Sequence, residues 1–259
     1  MNTRAPFDLT GKTAVVTGAA QGLGQTMALG LARFGADVAV LDLNEERARE
    51  SAARICDLGR KSLVVSADVT ERRQVQAAIQ EIIASWGHLD ILVANAGVGV
   101  RASAEDVEEK DWDWVVGVNL KGVFLCCQAA AREMKKANGG AIINIASVAG
   151  QRCLYHHLDL ATPYSAAKGG VVQLTRSLAG EWAKFGIRVN AIAPTYFLTD
   201  LTRCILEQEE FLSYLKSRVP LQRPGDPEEL VGPVVFLASD ASSFVTGHIL
   251  NVDGGYMAL

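Results

Sequence analysis

Seven short apolar runs recur along this chain, at 12–17, 37–42, 61–66, 89–94, 141–146, 187–192 and 248–252. Between them lie stretches of helical character: Met27, Leu31 and Phe34 recur with helical period after the first run, and 71–86, 112–136 and 163–184 read as helices. Runs this short and this apolar fit strands buried on both faces, and strands alternating with helices give a parallel sheet. The expected fold is therefore α/β, a doubly wound parallel sheet with helices on both faces. The chain has 259 residues and 49% hydrophobic content, enough for one large core, and no linker, repeat or low-complexity tract divides it. One domain spanning 1–259 is expected.

The first strand runs into Gly18-Ala-Ala-Gln21-Gly22-Leu23-Gly24 and then into a helix. Strand, glycine turn and helix is the arrangement that points backbone N–H groups and a helix N-terminus at a diphosphate. By itself the loop fits a plain strand–helix turn equally well. The second strand ends in Asp42, about where a carboxylate meets adenosine ribose hydroxyls. Asn44, with Glu45 and Glu46 behind it, is better placed to cap the next helix, which leaves Asp42 free for the ribose.

Tyr164 and Lys168 stand four residues apart at the start of the 163–184 helix, so they share one face. An ammonium beside a phenol favours the phenolate, which an unperturbed tyrosine reaches only near pH ~10. Ser147 follows the apolar run 141–146, placing a hydroxyl at the carboxyl end of a strand, where open α/β sheets bind ligands. A Tyr-x-x-x-Lys pair alone is more often a surface pair; with the glycine loop it reads as chemistry.

In Thr17-Gly18-x-x-x-Gly22-x-Gly24, Asn95-Ala96-Gly97, Asn119, Ser147, Tyr164-x-x-x-Lys168 and Asn251-Val-Asp-Gly-Gly255, taken in order, the chain resembles the short-chain dehydrogenase/reductase family over essentially its whole length. The resemblance implies a single-domain Rossmann-type fold and a nicotinamide cofactor. It implies Tyr164 as general acid/base, Lys168 as its electrostatic partner and ribose ligand, and Ser147 as a hydrogen-bond partner of the reacting oxygen. It implies Asn119 as the holder of a water linking Lys168 to solvent. By the same resemblance Gln21, Leu23 and Leu43 join the glycines and Asp42 at the cofactor. Asp68 and Val69 lie along the adenine, and Asn95, Ala96, Gly97, Pro194, Thr195, Phe197 and Thr199 toward the nicotinamide. NAD is expected over NADP, because Asp42 would repel a 2′-phosphate and no arginine stands near to receive one. Two departures stand out. The family usually has Pro-Gly where this chain has Pro194-Thr195, and a β-branched residue there excludes positive φ and implies a different backbone path. The stretch 151–159 also makes the Ser147–Tyr164 gap longer than is usual in the family.

That loop and the substrate-loop region 195–216 offer Arg152, His156, His157, Tyr196 and Arg203 to a substrate, beside Ser147 and Tyr164. These could bind hydroxyls or one carboxylate, which, with the texture at both chain ends, suits the branch acting on polyols, sugars and sugar acids. Reduction of 3-oxoacyl groups on an acyl carrier is the alternative, but an acidic carrier wants a basic surface and the net charge here is −4. A catalytically dead nucleotide-binding regulator is a third reading, opposed by the intact Ser, Tyr and Lys. Adjacent histidines lack a third ligand, so no metal is expected. No basic tract longer than Lys135-Lys136 suggests nucleic acid, and no apolar run suggests a membrane span. Five cysteines without C-x-x-C spacing fit reduced thiols in a cytoplasmic protein. Trp112 and Trp114 read as core or interface anchors. Small residues of the 163–184 helix (Ala166, Ala167, Gly169, Gly170) and the apolar tail 256–259 suggest a homotetramer, unless the tail folds back on its own subunit.

Overall fold

The computed structural model describes residues 5–153 and 156–259, Leu201 without its side chain. Its elements run β1 (Thr13–Thr17), α1 (Gly22–Arg33), β2 (Asp37–Asp42), α2 (Glu45–Asp57), β3 (Ser62–Ser66), α3 (Arg72–Trp86) and β4 (Ile91–Ala94). There follow α4 (Glu109–Val116), α5 (Val123–Lys136), β5 (Gly140–Ile145), α6 (Thr162–Trp182) and β6 (Ile187–Pro194). Last come α7 (Asp200–Leu206), α8 (Glu209–Arg218), α9 (Val231–Ala238) and β7 (Ile249–Val252). All seven strands pair in parallel in the order β3-β2-β1-β4-β5-β6-β7. The order reverses between β1 and β4, so the carboxyl ends of these central strands open a crevice.

Alternation along each strand sorts the core into two layers. Val15, Ala39, Leu41 and Leu92 pack on one face with Ile79, Ile82, Cys126 and Val171, from α3, α5 and α6. Ala14, Val16, Val38, Val40 and Val93 pack on the other with Met27, Leu31 and Val234, from α1 and α9. A third cluster joins Ile205, Phe211 and Leu215 to Val148 and Tyr256, so α7 and α8 form a flap anchored at the strand ends. These two helices, and α9, carry no strong signal in the sequence.

The 112–136 helix is not continuous α-helix. Residues Gly117–Gly122 form a π-helical turn between α4 and α5, and the run Glu109–Lys136 is long and apolar enough to span a bilayer, although 56% of its apolar window is buried here. A run of α4 through α5 thus reaches the length that the sequence reading denied. Its buried face, however, is the cover of the sheet. The start of the tail folds back: Tyr256 is 4% exposed within the third cluster, and Arg152 lies 5.6 Å over its ring and donates to the Leu259 carbonyl. Of the tail only Tyr256 is so buried, and Leu259 at the very end stays 71% exposed. Ala167 and Gly170 likewise face inward, and a Cβ on Gly170 would come within 2.7 Å of Leu120. All five cysteines are free, and burial pushes the Cys126 thiol up to about 12.

Candidate active site

A cleft of about 500 Å³ lies along the carboxyl ends of the central strands. At one end, Gly18 and Gly22 adopt φ of 63° and 57°, which L side chains rarely adopt. A Cβ on Gly24 would fall 2.1 Å from the Gly18 carbonyl, so strand and helix meet there only through glycine. The N-terminus of α1 has no side-chain cap and no acidic residue in its first turn. Uncapped N–H groups at a positive dipole end are a fit for a diphosphate. Asn95 secures the loop from β4: Nδ2 donates to the carbonyls of Thr17 and Gly18 at 2.9 and 3.1 Å. The backbone N–H groups of Asn95 and Ala96 donate to the Thr17 hydroxyl, each at 3.0 Å.

Asp42 closes this end, and it is less free than the sequence suggested. Its carboxylate accepts from the backbone N–H groups of Ala20 and Asn44, both at 3.0 Å. Asn44 does cap α2, accepting from Arg47 N. The expectation that no arginine stands near is corrected: the Arg47 guanidinium reaches back from α2 to hydrogen-bond the Gln21 side chain. Leu43, two-thirds exposed, continues the wall, and Asp68 and Val69 line the cleft after β3. Asp68 holds its turn by accepting from Thr70 N at 2.8 Å.

At the other end Ser147, Tyr164 and Lys168 converge. Ser147 sits where β5 stops, and its Oγ accepts from Ala149 N at 3.1 Å, so it is a turn cap as well as a site residue. Gly150 lets that turn touch α6: a Cβ there would lie 2.4 Å from the Lys168 carbonyl carbon. This contact brings Ser147 against Tyr164, which it hydrogen-bonds. Lys168, 3% exposed, donates from Nζ to the Ile145 carbonyl at 2.6 Å and stands 5.6 Å from the Tyr164 ring centre. Burial lowers its pKa to about 8. Burial also holds the Tyr164 phenol above its ordinary value; the Ser147 hydrogen bond opposes this and the Asp159 carboxylate adds to it. The expected lowering of the phenol by Lys168 is thus outweighed in the chain itself, because desolvation penalises the phenolate more than the ammonium at that distance helps it.

Asn119 lies in the π-helical turn, wholly buried. Its amide donates to the carbonyls of Val98 and Val115 at 2.8 and 2.9 Å, and its Oδ1 accepts from Val98 N at 3.2 Å. Gly97 makes room, since a Cβ there would meet Asn119 Oδ1 at 2.7 Å. Pro194, Thr195, Phe197 and Thr199 line the cleft from β6 onward. Thr195 simply extends the strand, donating its N–H to Val252 O at 3.4 Å, which explains how a β-branched residue fits without positive φ. Its buried hydroxyl has no protein partner. The Thr199 hydroxyl caps α7 in a reciprocal pair with Thr202 at 3.0 Å.

The substrate candidates divide. Ser147 and Tyr164 reach the cleft; Arg152, His156, His157, Tyr196 and Arg203 do not line it. Arg152 holds the chain end, and Arg203 pairs outward with Asp200 at 3.6 Å. His156 packs among Phe211, Tyr214 and His157, while Tyr196 donates to Asp159. Leu154 and Tyr155 of this loop lie outside the described residues. The third ligand that the sequence lacked does arrive: Glu210 comes within 3.4 Å of His157. The two imidazoles are stacked at 4.6 Å with 25° between planes, and the potential ligand atoms of the three side chains lie within 4.8 Å of one another. Trp114, read as an anchor, lines the cleft and is half exposed. Its periodic place in an apolar helix carries no signal that distinguishes the two fates.

The family profile described as Enoyl-(Acyl carrier protein) reductase matches residues 18–257. The chain belongs to the short-chain dehydrogenase/reductase family. It is 44% identical over 254 residues to the 2-dehydro-3-deoxy-D-gluconate 5-dehydrogenase of Escherichia coli K12, covering 97% of this chain and 98% of that one. It is 40% identical over 250 residues to the NAD-dependent glycerol dehydrogenase of Listeria innocua, covering 96% and 95%. Its structure matches gluconate 5-dehydrogenase from Burkholderia cenocepacia, solved in complex with NADP and tartrate, with TM-score 0.93, 43% identity and 98% of each chain covered. The chain is accordingly an oxidoreductase of the CH–OH group, and its cradle is built for a nicotinamide dinucleotide.

Proposed function

We propose that this short-chain dehydrogenase/reductase interconverts a secondary alcohol and a ketone on a polyol, sugar or sugar acid, with NAD as its cofactor. The observation that carries the reading is the convergence of Ser147, Tyr164 and Lys168 at one end of a cleft whose other end is a glycine cradle. Bound nicotinamide supplies or accepts the hydride. Tyr164 moves the proton at the substrate oxygen, and Ser147 hydrogen-bonds the same oxygen. Lys168 holds a ribose hydroxyl and keeps positive charge beside the phenol, with Asn119 holding the water that links it to solvent.

Asp42 supports NAD over NADP: its carboxylate is pinned by two backbone N–H groups and cannot swing away from a 2′-phosphate. Arg47, hydrogen-bonded to the Gln21 side chain, is the cation to set against it, and assays with both cofactors weigh the two. The names of the relatives support a polyhydroxylated substrate, and both a sugar acid and a polyol stand among them. We further infer a cytoplasmic homotetramer. The test is a panel of polyols, aldonates and simple secondary alcohols with NAD or NADP, beside acetoacetyl thioesters with NADH or NADPH. Turnover of polyols or aldonates with NAD at higher kcat/KM than with NADP is expected. Thioester turnover with every polyol and aldonate inert would move the substrate class to the acyl-carrier alternative.

A further inference from the structure

The stretch between the Ser147 turn and α6 carries His156 and His157, and folding brings Glu210 to them from the first turn of α8. One ring nitrogen of each histidine and one Glu210 oxygen lie within 4.8 Å of one another, and His157 Nε2 stands 3.4 Å from Glu210 Oε1. Two ligands held at ~2.0–2.2 Å on a tetrahedral ion stand roughly 3.3 Å apart, so this edge is already at the spacing such an ion imposes. His156 is the fixed member of the three. Phe211 packs edge-on to its ring at 5.2 Å, Tyr214 lies against it at 4.5 Å, and Asp159 N closes its turn by donating to His156 O at 2.9 Å. His157 and Glu210 are the movable members, with side chains 59% and 64% exposed. Rotation of these two draws in the wider edges without disturbing the third apolar cluster. His156 Nδ1 accepts from Leu158 N at 3.2 Å, so that nitrogen bears a lone pair and no proton, the form in which an imidazole binds metal.

We propose that His156, His157 and Glu210 form a site for a divalent first-row transition ion, zinc foremost, that clips α8 to the stretch leading into α6. Two imidazoles and one carboxylate are a donor set that suits zinc, whereas calcium and magnesium are held by oxygen ligands alone. Three protein ligands leave a fourth position to water, and the exposure of His157 and Glu210 gives the ion a way in. At His156 the ion takes the Nδ1 lone pair in place of the long hydrogen bond from Leu158 N. None of the three residues lines the cleft, so the role of the ion is to tie segments together and not to act on the substrate. The flap of α7 and α8 is otherwise anchored by the apolar cluster that joins Phe211 and Leu215 to Val148 and Tyr256. The ion adds a polar tie at its exposed edge.

The test uses the full-length protein, stripped of metal with a chelator and titrated with zinc against a chromophoric competitor. Melting temperature is followed in parallel, and cobalt(II) serves as a spectroscopic probe. One zinc per subunit is expected, with a rise in melting temperature, as a ligand of the folded state produces. Magnesium and calcium at equal concentration are expected not to compete. Glu210→Gln and His157→Asn lie at exposed positions, where substitution costs the fold little. Each is expected to weaken zinc binding at least ~10-fold and to reduce the rise in melting temperature. Glu209→Gln, one residue away on α8 and outside the cluster, is expected to bind zinc as the wild type does. Cobalt is expected to show the weak visible bands of nitrogen and oxygen ligation without a thiolate charge-transfer band. A thiolate band would assign the ion to one of the exposed cysteines, Cys56, Cys153 or Cys204, and overturn the proposal. So would zinc binding that either ligand variant leaves unchanged or that Glu209→Gln weakens as much, and so would no binding at micromolar zinc. None of these readouts depends on turnover, so the outcome stands apart from the identity of the substrate.

Discussion

Tyr164 is held in its protonated form by burial and by Asp159, with Ser147 pulling the other way. A phenol so placed carries its proton at neutral pH but releases it less readily than a free tyrosine, so as the proposed acid/base it would depend on its cationic neighbour. Tyr164→Phe is expected to bind NADH as the wild type does and to turn over at least ~10²-fold more slowly, the usual scale for an acid–base group. Single-turnover rates beside a fluorescence titration check it; retained turnover would assign the proton to another residue. Lys168 gives a second prediction, on stability. Its pKa falls from 10.5 to about 8 in the folded chain. Between those values the unfolded chain binds the proton that the folded chain has shed, so stability rises with pH there. The contribution is full above 10.5 and is lost as pH falls through about 8. Denaturant melts of the wild type against Lys168→Met should therefore show the variant's advantage at pH 7 shrinking by pH 10. A difference that stays constant would mean that the ammonium is not desolvated.

At the scale of elements, the site depends on how closely the turn after β5 approaches α6. Gly150 makes that approach possible, since a Cβ would meet the helix backbone at Lys168 and not a side chain that could swing aside. Gly150→Ala is expected to cost ~1–3 kcal/mol, the usual range for overpacking. It should lower kcat more than it weakens NADH binding, because Ser147 and Tyr164 are moved apart while the glycine cradle is untouched. Urea melts and steady-state kinetics together check this; equal losses in kcat and cofactor affinity would mean a general loosening. The π-helical turn at Gly117–Gly122 follows the same logic, placing the buried Asn119 amide against Val98 and thereby fixing the loop after β4.

For the whole molecule, the proposed homotetramer can draw on several exposed apolar side chains, Leu259 at the end of the tail among them at 71% exposure, while Tyr256 is already packed within the subunit. Ala166 and the half-exposed Trp112 on α6 and α4 remain available, and Phe244 beyond α9 is fully exposed. Light scattering at micromolar concentration is expected to give four times the mass of 27.7 kDa. A monomer mass would show that these apolar side chains are tolerated in water.

The sequence by itself determined the seven strands, their alternation with helices and the identity of the cleft's two ends. These are set by local periodicity and by residues such as Gly24, Tyr164 and Lys168, whose chemistry permits few alternatives. It did not determine which polar side chains near the site would face it. Arg152, His156, His157 and Arg203 lie in stretches without periodicity, and each found a nearer partner in the chain end, an aromatic cluster or a neighbouring carboxylate. Arg47 came back to the glycine loop because α2 runs beside it, a juxtaposition that sequence spacing does not contain. The balance at Tyr164 was likewise decided in three dimensions. Sequence spacing sets a lysine beside a phenol, but only folding decides how much water each loses and that the Asp159 carboxylate, just ahead of the helix, acts on the phenol. Desolvation and contacts between distant segments are properties of the packed chain, and no single stretch of sequence encodes them.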